Sequence, residues 1–326
     1  MKAWICSNPN AGVDALQWQE VPTPEPGPGQ ARVAIQASSL NFPDILIVQN
    51  KYQFKPEPPF VPGSEFAGIV DAVGPGVTNV KVGDRVCVLN GTGGFGSHAI
   101  APAEKLVPMP PGMSFEDGAA FLMTYGTTQH ALVDRGELKA GETCLVLGAA
   151  GGVGSAAIQI AKALGAKVIA AASTDEKCAQ CRAMGADETI NYTSTNIREA
   201  LKTLTGGKGP DVVYDPVGSD LAEPVFRSIA WRGRYLVIGF AGGTIPSLPL
   251  NLSLLKGATI VGVFWGDYTR REPANFQRDL KQLAQWYAEG KVKPVLDVKM
   301  SLKDLHAAYA RMNARQVVGK LVLTQD

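Results

Sequence analysis

From about residue 140 the chain alternates short apolar runs with longer amphipathic ones. Thr143-Cys144-Leu145-Val146-Leu147-Gly148 is a run of buried-strand character, and the stretch from Gly152 to Leu164 has a helical pattern. Lys167 to Ala172 predicts the next strand, Asp175 to Met184 the next helix, Glu188-Thr189-Ile190 a short strand and Asn196 to Leu204 another helix. Asp211–Asp215, Arg234–Ile238 and Thr259–Val263 complete six strands. Strands that are apolar throughout, alternating with helices, predict a parallel sheet covered on both faces. Six of them match two halves of a dinucleotide-binding fold. After Val263 the alternation stops, and Pro273 to Glu289 predicts one amphipathic helix, with Phe276, Leu280, Leu283, Ala284 and Tyr287 at helical spacing.

The first 120 or so residues follow a different rule. Pro22, Pro24, Pro26 and Pro28 make Val21 to Gln30 a stiff connector. Arg32–Ala37, Gly68–Val73 and Asp84–Leu89 have strand character, punctuated by turns such as Gly74-Pro75-Gly76. The tail Gly319–Leu323 is again strand-like. The expected plan is a β-rich domain made from residues 1–122 and 264–326, with an α/β domain, residues 123–263, inserted between them.

A chain of 326 residues exceeds what one core usually supports, which agrees with two domains. A net charge of +1 supplies no field for nucleic acid or an anionic membrane. No apolar run approaches the roughly 20 residues of a membrane span, and Met1 to Cys6 leads straight into a strand-like stretch without a secretory signal, so a cytoplasmic protein is expected. Five scattered cysteines do not form a disulfide framework. Cys178 and Cys181 form a C-x-x-C on a predicted helix without a second pair or a nearby histidine, which favours ordinary helix residues over a redox or metal site.

The strongest local signal is the glycine-rich turn Gly148-Ala149-Ala150-Gly151-Gly152-Val153-Gly154, which ends the first parallel strand and opens a helix. There Gly151 lets backbone approach a pyrophosphate, whose charge meets the amides and dipole of the helix start. Gly154 lets the helix pack close to the strand. The G-x-G-x-x-G pattern is broken at Ala149. At the end of the second strand an NAD site presents a carboxylate to the ribose 2′-hydroxyl. Here Ala172-Ser173-Thr174 offers none, Asp175 belongs to the following helix, and Lys177 either meets an extra phosphate or is a surface lysine. The pattern favours NADPH.

Taken with Asn41-Phe42-Pro43-Asp44, Val61 to Gly68, Val73-Gly74, Val82 to Val86, Ile190-Asn191-Tyr192, Tyr214 to Gly218 and Val317 to Lys320, these features make the chain resemble the medium-chain dehydrogenase/reductase superfamily over nearly its whole length. Within it the likeness is to the NADPH:quinone oxidoreductase and zeta-crystallin branch. The resemblance implies a GroES-like catalytic domain with an inserted six-stranded Rossmann domain and an acceptor cleft between them. It implies that Ala150, Gly151, Gly152, Val153 and Gly154 hold the pyrophosphate, that Ser173, Lys177 and Tyr192 surround the 2′-phosphate, and that Thr127 and Phe240 also line the cofactor site. Asn41, Asp44 and Tyr52 would line the acceptor cleft, with Phe264 and Trp265 closing it; Asn41 as a loop residue and Tyr52 as packing remain the alternatives. It further implies a homodimer paired through Ala258–Val263, a sheet edge that needs covering.

One departure shapes the chemistry. Zinc-dependent relatives carry Gly-His-Glu where this chain has Gly63-Ser64-Glu65, the early cysteine position falls at Ser38-Ser39, and the four-cysteine lobe is missing. A catalytic zinc needs about three protein ligands, so none is expected, and without a Lewis acid alcohol oxidation is disfavoured. Hydride transfer from NADPH to a quinone is the leading expectation. Reduction of the C=C bond of enals, enones or enoyl thioesters is its rival, and a non-catalytic crystallin-like or RNA-binding role is the alternative of another class. No acid or base stands out; water, a ribose hydroxyl and Tyr52 all remain open as proton source.

Overall fold

The computed structural model describes residues 1–325. The chain divides into two compact units, one built from the two chain ends and the other from the segment between them, Thr124–Lys293.

In the middle unit the strands Thr143–Leu147, Lys167–Ala172, Glu188–Asn191, Val212–Asp215, Arg234–Val237 and Thr259–Gly262 form one parallel sheet. Their spatial order is third, second, first, fourth, fifth, sixth. The central strands are buried along almost their whole length because helices cover both faces, so alternate residues gain nothing by being polar. Leu145 lies opposite Ile169 on one side and Val213 on the other, and these pack with Leu201, Val225 and Phe226 into one core. The order reverses between the first and fourth strands, and in sheets of this kind a ligand binds outside the carboxyl ends of the strands at that point.

The other unit contains residues 1–123 and the chain from Pro294 onward. Its centre is the long strand Gln30–Ser39, which pairs antiparallel with Glu65–Val73, His98–Pro102 and the C-terminal strand Lys320–Thr324. Arg85–Leu89, Leu106–Pro108 and Leu296–Ser301 extend the sheet to seven strands. Along Gln30–Ser39 burial alternates at first and then becomes continuous, as one face and then both are covered. Val33, Phe66, Val86 and Leu106 fill one core, and Trp4, Leu40, Phe95, Tyr309 and Leu321 fill another. The tail completes a sheet begun near residue 30, so both chain ends build this unit.

The second boundary differs from the sequence expectation of residue 263: the middle unit runs to Lys293. The reason is packing. The helix Trp265–Arg271 sets Trp265 against Gly126, leaving no room there for a Cβ, and stacks Tyr268 on His130 at 3.9 Å between ring centres. The Tyr268 hydroxyl then donates to Asp279 at 2.6 Å, tying in the helix Pro273–Ala288. The sequence reading missed a short helix, Phe42–Val48, although Asn41 and Asp44 box its start and Pro43 lies in its first turn, and it missed the π-helical turns at Leu122–Gly126 and His130–Arg135, which flank Thr127–Gln129. Among the described residues no helix is long and apolar enough to cross a membrane.

Candidate functional site

The strand Thr143–Leu147 leaves the sheet through Gly148, whose φ of 56° lies in the left-handed region that glycine enters without penalty. Gly151 precedes the helix Gly152–Ala163 as its cap and offers no side chain to its amides, so the first turn keeps its unpaired donors. The glycines of this turn differ in purpose. A Cβ on Gly154 would collide with the Gly148 carbonyl and the Ala149 backbone, so Gly154 is there for helix–strand packing. A Cβ on Gly151 would meet only the Gly148 oxygen, at 3.3 Å. The fold constrains position 151 through this one contact alone, and a glycine there leaves the helix start open to close approach by an anion.

Neighbouring strand ends complete this edge of the unit. Ser173 follows the second strand, and its carbonyl accepts the Thr193 hydroxyl at 2.9 Å. Thr174 caps the next helix by accepting from the Lys177 amide at 3.2 Å, which sets Lys177 in the first turn. The Tyr192 amide donates to Ala172 at 3.1 Å, bringing the end of the third strand beside that of the second. Asp175 is engaged by the Asn191 side chain at 2.7 Å, a helix-start role that agrees with its sequence reading. Ser173, Lys177 and Tyr192 are all half-buried.

The turn after the fourth strand carries residues whose roles the sequence did not reveal. The Asp215 carboxylate accepts from the Val217 and Gly218 amides, both at 2.8 Å, and from the Tyr235 hydroxyl at 2.5 Å. This anchored turn sets Val217 over Gly148, where a Cβ would meet the valine methyl at 2.8 Å, and sets Gly218 beside the Phe240 ring. Phe240 is thereby held at the sheet's carboxyl end, while Thr127 stands half-buried between the π-helical turns. The next residue, Thr128, pairs its hydroxyl with that of Tyr214 at 2.9 Å. The motif Tyr214 to Gly218 was visible in the sequence, but its anchoring by Tyr235 depends on a neighbouring strand. Of Phe264 and Trp265, the first is 57% exposed and the second is buried against Gly126 and Phe276.

In the other unit Asn41 and Asp44 belong to a buried polar network. The Asp44 carboxylate accepts from the Asn41 amide at 2.8 Å and the Ser64 amide at 2.9 Å. Burial pushes its pKa up to about 6, against the pull of those hydrogen bonds and of the Lys320 charge. Glu65 is fully buried and accepts from the Met123 amide at 2.8 Å, the Ser39 hydroxyl at 2.9 Å and the Asn41 side-chain amide at 3.0 Å. Lys320 faces it at 3.5 Å. Tyr52 is half-buried, and its hydroxyl pKa is raised by burial and by the Asp44 charge.

These surroundings do not suit zinc. Ser38 donates to the Gly94 carbonyl, Ser39 is spent on Glu65, and an ammonium stands where a cation would meet that carboxylate. The three histidines lie apart: His98 faces Asp71, His130 stacks on Tyr268 and His306 packs on Trp4. Among the described residues no three His, Cys, Asp or Glu side chains gather as a metal site. Cys178 and Cys181 are buried in the helix Asp175–Ala183, and burial raises both thiol pKa values, that of Cys181 to about 12, opposite to what a reactive thiol needs.

Comparison with known proteins agrees with this architecture. A family model described as "Alcohol dehydrogenase GroES-like domain" matches residues 27–111, and one described as "Zinc-binding dehydrogenase" matches residues 152–289. "Quinone oxidoreductase-like protein 2" of Bos taurus is 40% identical over 304 residues, covering 93% of this chain and 87% of that protein. A "2-haloacrylate reductase" of a Burkholderia species is 34% identical over 327 residues, covering 96% of each. The crystal structure of Escherichia coli quinone oxidoreductase complexed with NADPH superposes with a TM-score of 0.90 at 32% identity, covering 99% of this chain and all of that one. With this topology, this glycine turn and these relatives, the chain belongs to the medium-chain dehydrogenase/reductase superfamily, in its quinone oxidoreductase branch.

Proposed function

We propose that the protein is a zinc-independent oxidoreductase that uses NADPH to reduce quinones. The observation that carries this reading is the carboxyl edge of the parallel sheet. Gly151 leaves the start of the helix Gly152–Ala163 open to a pyrophosphate, and the end of the second strand presents Ser173 and Lys177, with Asp175 tied to Asn191. That edge suits a dinucleotide with a 2′-phosphate. Gly151 to Gly154 would receive the pyrophosphate, Ser173, Lys177 and Tyr192 the 2′-phosphate, and Thr127 and Phe240 would line the remainder. NADPH, when bound, supplies the hydride.

The acceptor would meet Asn41, Asp44 and Tyr52. Trp265 would fix the helix that Phe264 precedes. A quinone takes one hydride and one proton, and the charge developed on its oxygens delocalises over the ring, so positioning is the main demand on the protein. The half-buried Tyr52 hydroxyl is one proton source open to it, and its raised pKa keeps it protonated at neutral pH.

Reduction of an activated C=C bond is the second reading, favoured by the likeness to a 2-haloacrylate reductase. Oxidation of NADPH followed at 340 nm with 1,4-naphthoquinone, trans-2-hexenal and an enoyl thioester separates the two. Turnover of the alkenes alone would replace the quinone reading, and turnover of none would reject both. A net charge of only +1 disfavours an RNA-binding role. We place the protein in the cytoplasm, since its five cysteines are unpaired and buried, as suits a reducing compartment. The last strand, Thr259–Gly262, is paired on one side only, with Ile260 exposed on it and Leu250, Leu254 and Leu255 exposed nearby in sequence. An apolar sheet edge of this kind needs a cover, and a second copy of the chain is the proposed one.

A further inference from the structure

Lys320 opens the C-terminal strand and is 5% exposed, although an ammonium is among the costliest groups to bury. Its surroundings explain how it is tolerated. The Nζ donates to the Leu40 carbonyl at 3.1 Å and to the Asn41 side-chain oxygen, and it faces Glu65 at 3.5 Å. Asn41 is in turn used at both ends of its amide, the oxygen by Lys320 and the nitrogen by Glu65. As the residue ahead of the helix Phe42–Val48, Asn41 would ordinarily turn its side-chain oxygen onto the first helical amides. Here Asn41 and Asp44 form the capping box of that helix, and the same Asn41 oxygen also receives the Lys320 ammonium. The lysine on its oxygen and Glu65 on its nitrogen thus add two long-range tethers to the local cap.

We propose that Lys320 is a positioning residue for the acceptor site, holding the segment Leu40–Asp44 in place through Leu40, Asn41 and Glu65. The inference rests on the reading that Asn41, Asp44 and Tyr52 meet the acceptor. The lysine has three donors, so one group ties two successive residues of the turn and balances the buried carboxylate behind them. Its charge also reaches Asp44. That carboxyl faces Lys320 from the last strand, Tyr309 from the helix Leu305–Asn313, Tyr52 from beyond its own helix, and the Asn41 and Ser64 amides. Lys320 is the one basic group among these, so its removal leaves Asp44 easier to protonate.

The test uses the full chain with NADPH, comparing Lys320→Met, Lys320→Arg and Asn41→Ala. The acceptor is whichever of 1,4-naphthoquinone and trans-2-hexenal the parent turns over faster. Lys320→Met should lower kcat/KM for the acceptor by about tenfold or more, move the acid limb of the pH profile to higher pH, and leave the NADPH dissociation constant unchanged. Lys320→Arg should recover most of the loss. Independently of any acceptor, amide hydrogen exchange over residues 40–48 should quicken in Lys320→Met, return toward the parent in Lys320→Arg, and stay unchanged over residues 143–172.

Unchanged exchange over residues 40–48, or an arginine variant no better than the methionine one, overturns the proposal. Quickened exchange without a kinetic effect of either Lys320→Met or Asn41→Ala keeps the lysine's hold on the segment and rejects the placement of the acceptor. If Lys320→Met does not fold, the charge-balanced variant K320M/E65Q takes its place under the same criteria. Failure of both to fold assigns Lys320 to stability alone and also overturns the proposal.

Discussion

The proposed choice of cofactor and one response to pH rest on single side chains. The absence of a carboxylate at Ala172-Ser173-Thr174 was legible in the sequence, but the capture of Asp175 by Asn191 was not, because it joins two strand ends 16 positions apart. A charge-assisted hydrogen bond to a phosphate contributes about 1.5–3 kcal/mol. Lys177→Ala should therefore raise the KM for NADPH by about tenfold or more, with little change for NADH or in kcat. Steady-state kinetics with both cofactors checks this, and unchanged discrimination would move the 2′-phosphate elsewhere. Asp44 gives a second expectation. Its folded pKa of about 6 stands above the reference of 3.8, so the native state binds this proton more tightly than the unfolded one. Its contribution to stability is most favourable below the lower value and falls as pH rises through the interval, by about 3 kcal/mol over two units. Asp44→Asn does not titrate. The substitution should therefore be more costly at pH 4.5 than at pH 8, as read from urea unfolding at the two pH values.

Elements carry the geometry that single residues exploit. The glycine-rich turn was recognisable as strand, turn and helix, yet only packing separates the duties of its glycines. Gly154→Ala forces a Cβ into the Gly148 and Ala149 backbone and should cost about 1–3 kcal/mol of stability. Gly151→Ala meets one oxygen at 3.3 Å, from a φ of −79° that alanine adopts freely. It should leave stability within about 1 kcal/mol while weakening NADPH. Thermal unfolding beside NADPH titration distinguishes the two, and equal stability losses would make both glycines structural. The π-helical turns around Thr127 had no legible signal, since their apolar residues fit an ordinary helix equally well. Their i→i+5 bonds, such as Gly136 to Ala131 at 2.7 Å, arise where a widened turn fits its neighbours.

At the scale of the whole molecule the questions are metal content and assembly. Ser38, Ser39 and Ser64 offer hydroxyls where zinc-dependent relatives offer sulfur and imidazole, and Lys320 faces Glu65. Purified protein should hold no stoichiometric zinc by elemental analysis and should keep its activity after treatment with EDTA. Chelator-sensitive activity would reverse this reading. Light scattering at micromolar concentration should give a dimer, and Ile260→Asp should give a monomer by placing a charge on the open edge of the sheet. A monomeric parent would leave that edge to another partner.

The alternation of apolar strands and helices, the glycine turn, the missing zinc ligands and the return of the tail to the first sheet all follow from the order of residue types along the chain. Each depends on local periodicity or on a motif that is contiguous in sequence, and the strand expectations therefore lie within a few residues of the observed ones. The place of Trp265–Ala288 in the middle unit, the anchoring of Val217 by Asp215 and Tyr235, and the network that joins Lys320 to Asn41 and Glu65 follow only from the tertiary structure. Each joins residues separated in the chain through contacts whose energy appears when burial removes water. A charge such as that of Lys320 has the pattern of an exposed residue until the fold encloses it.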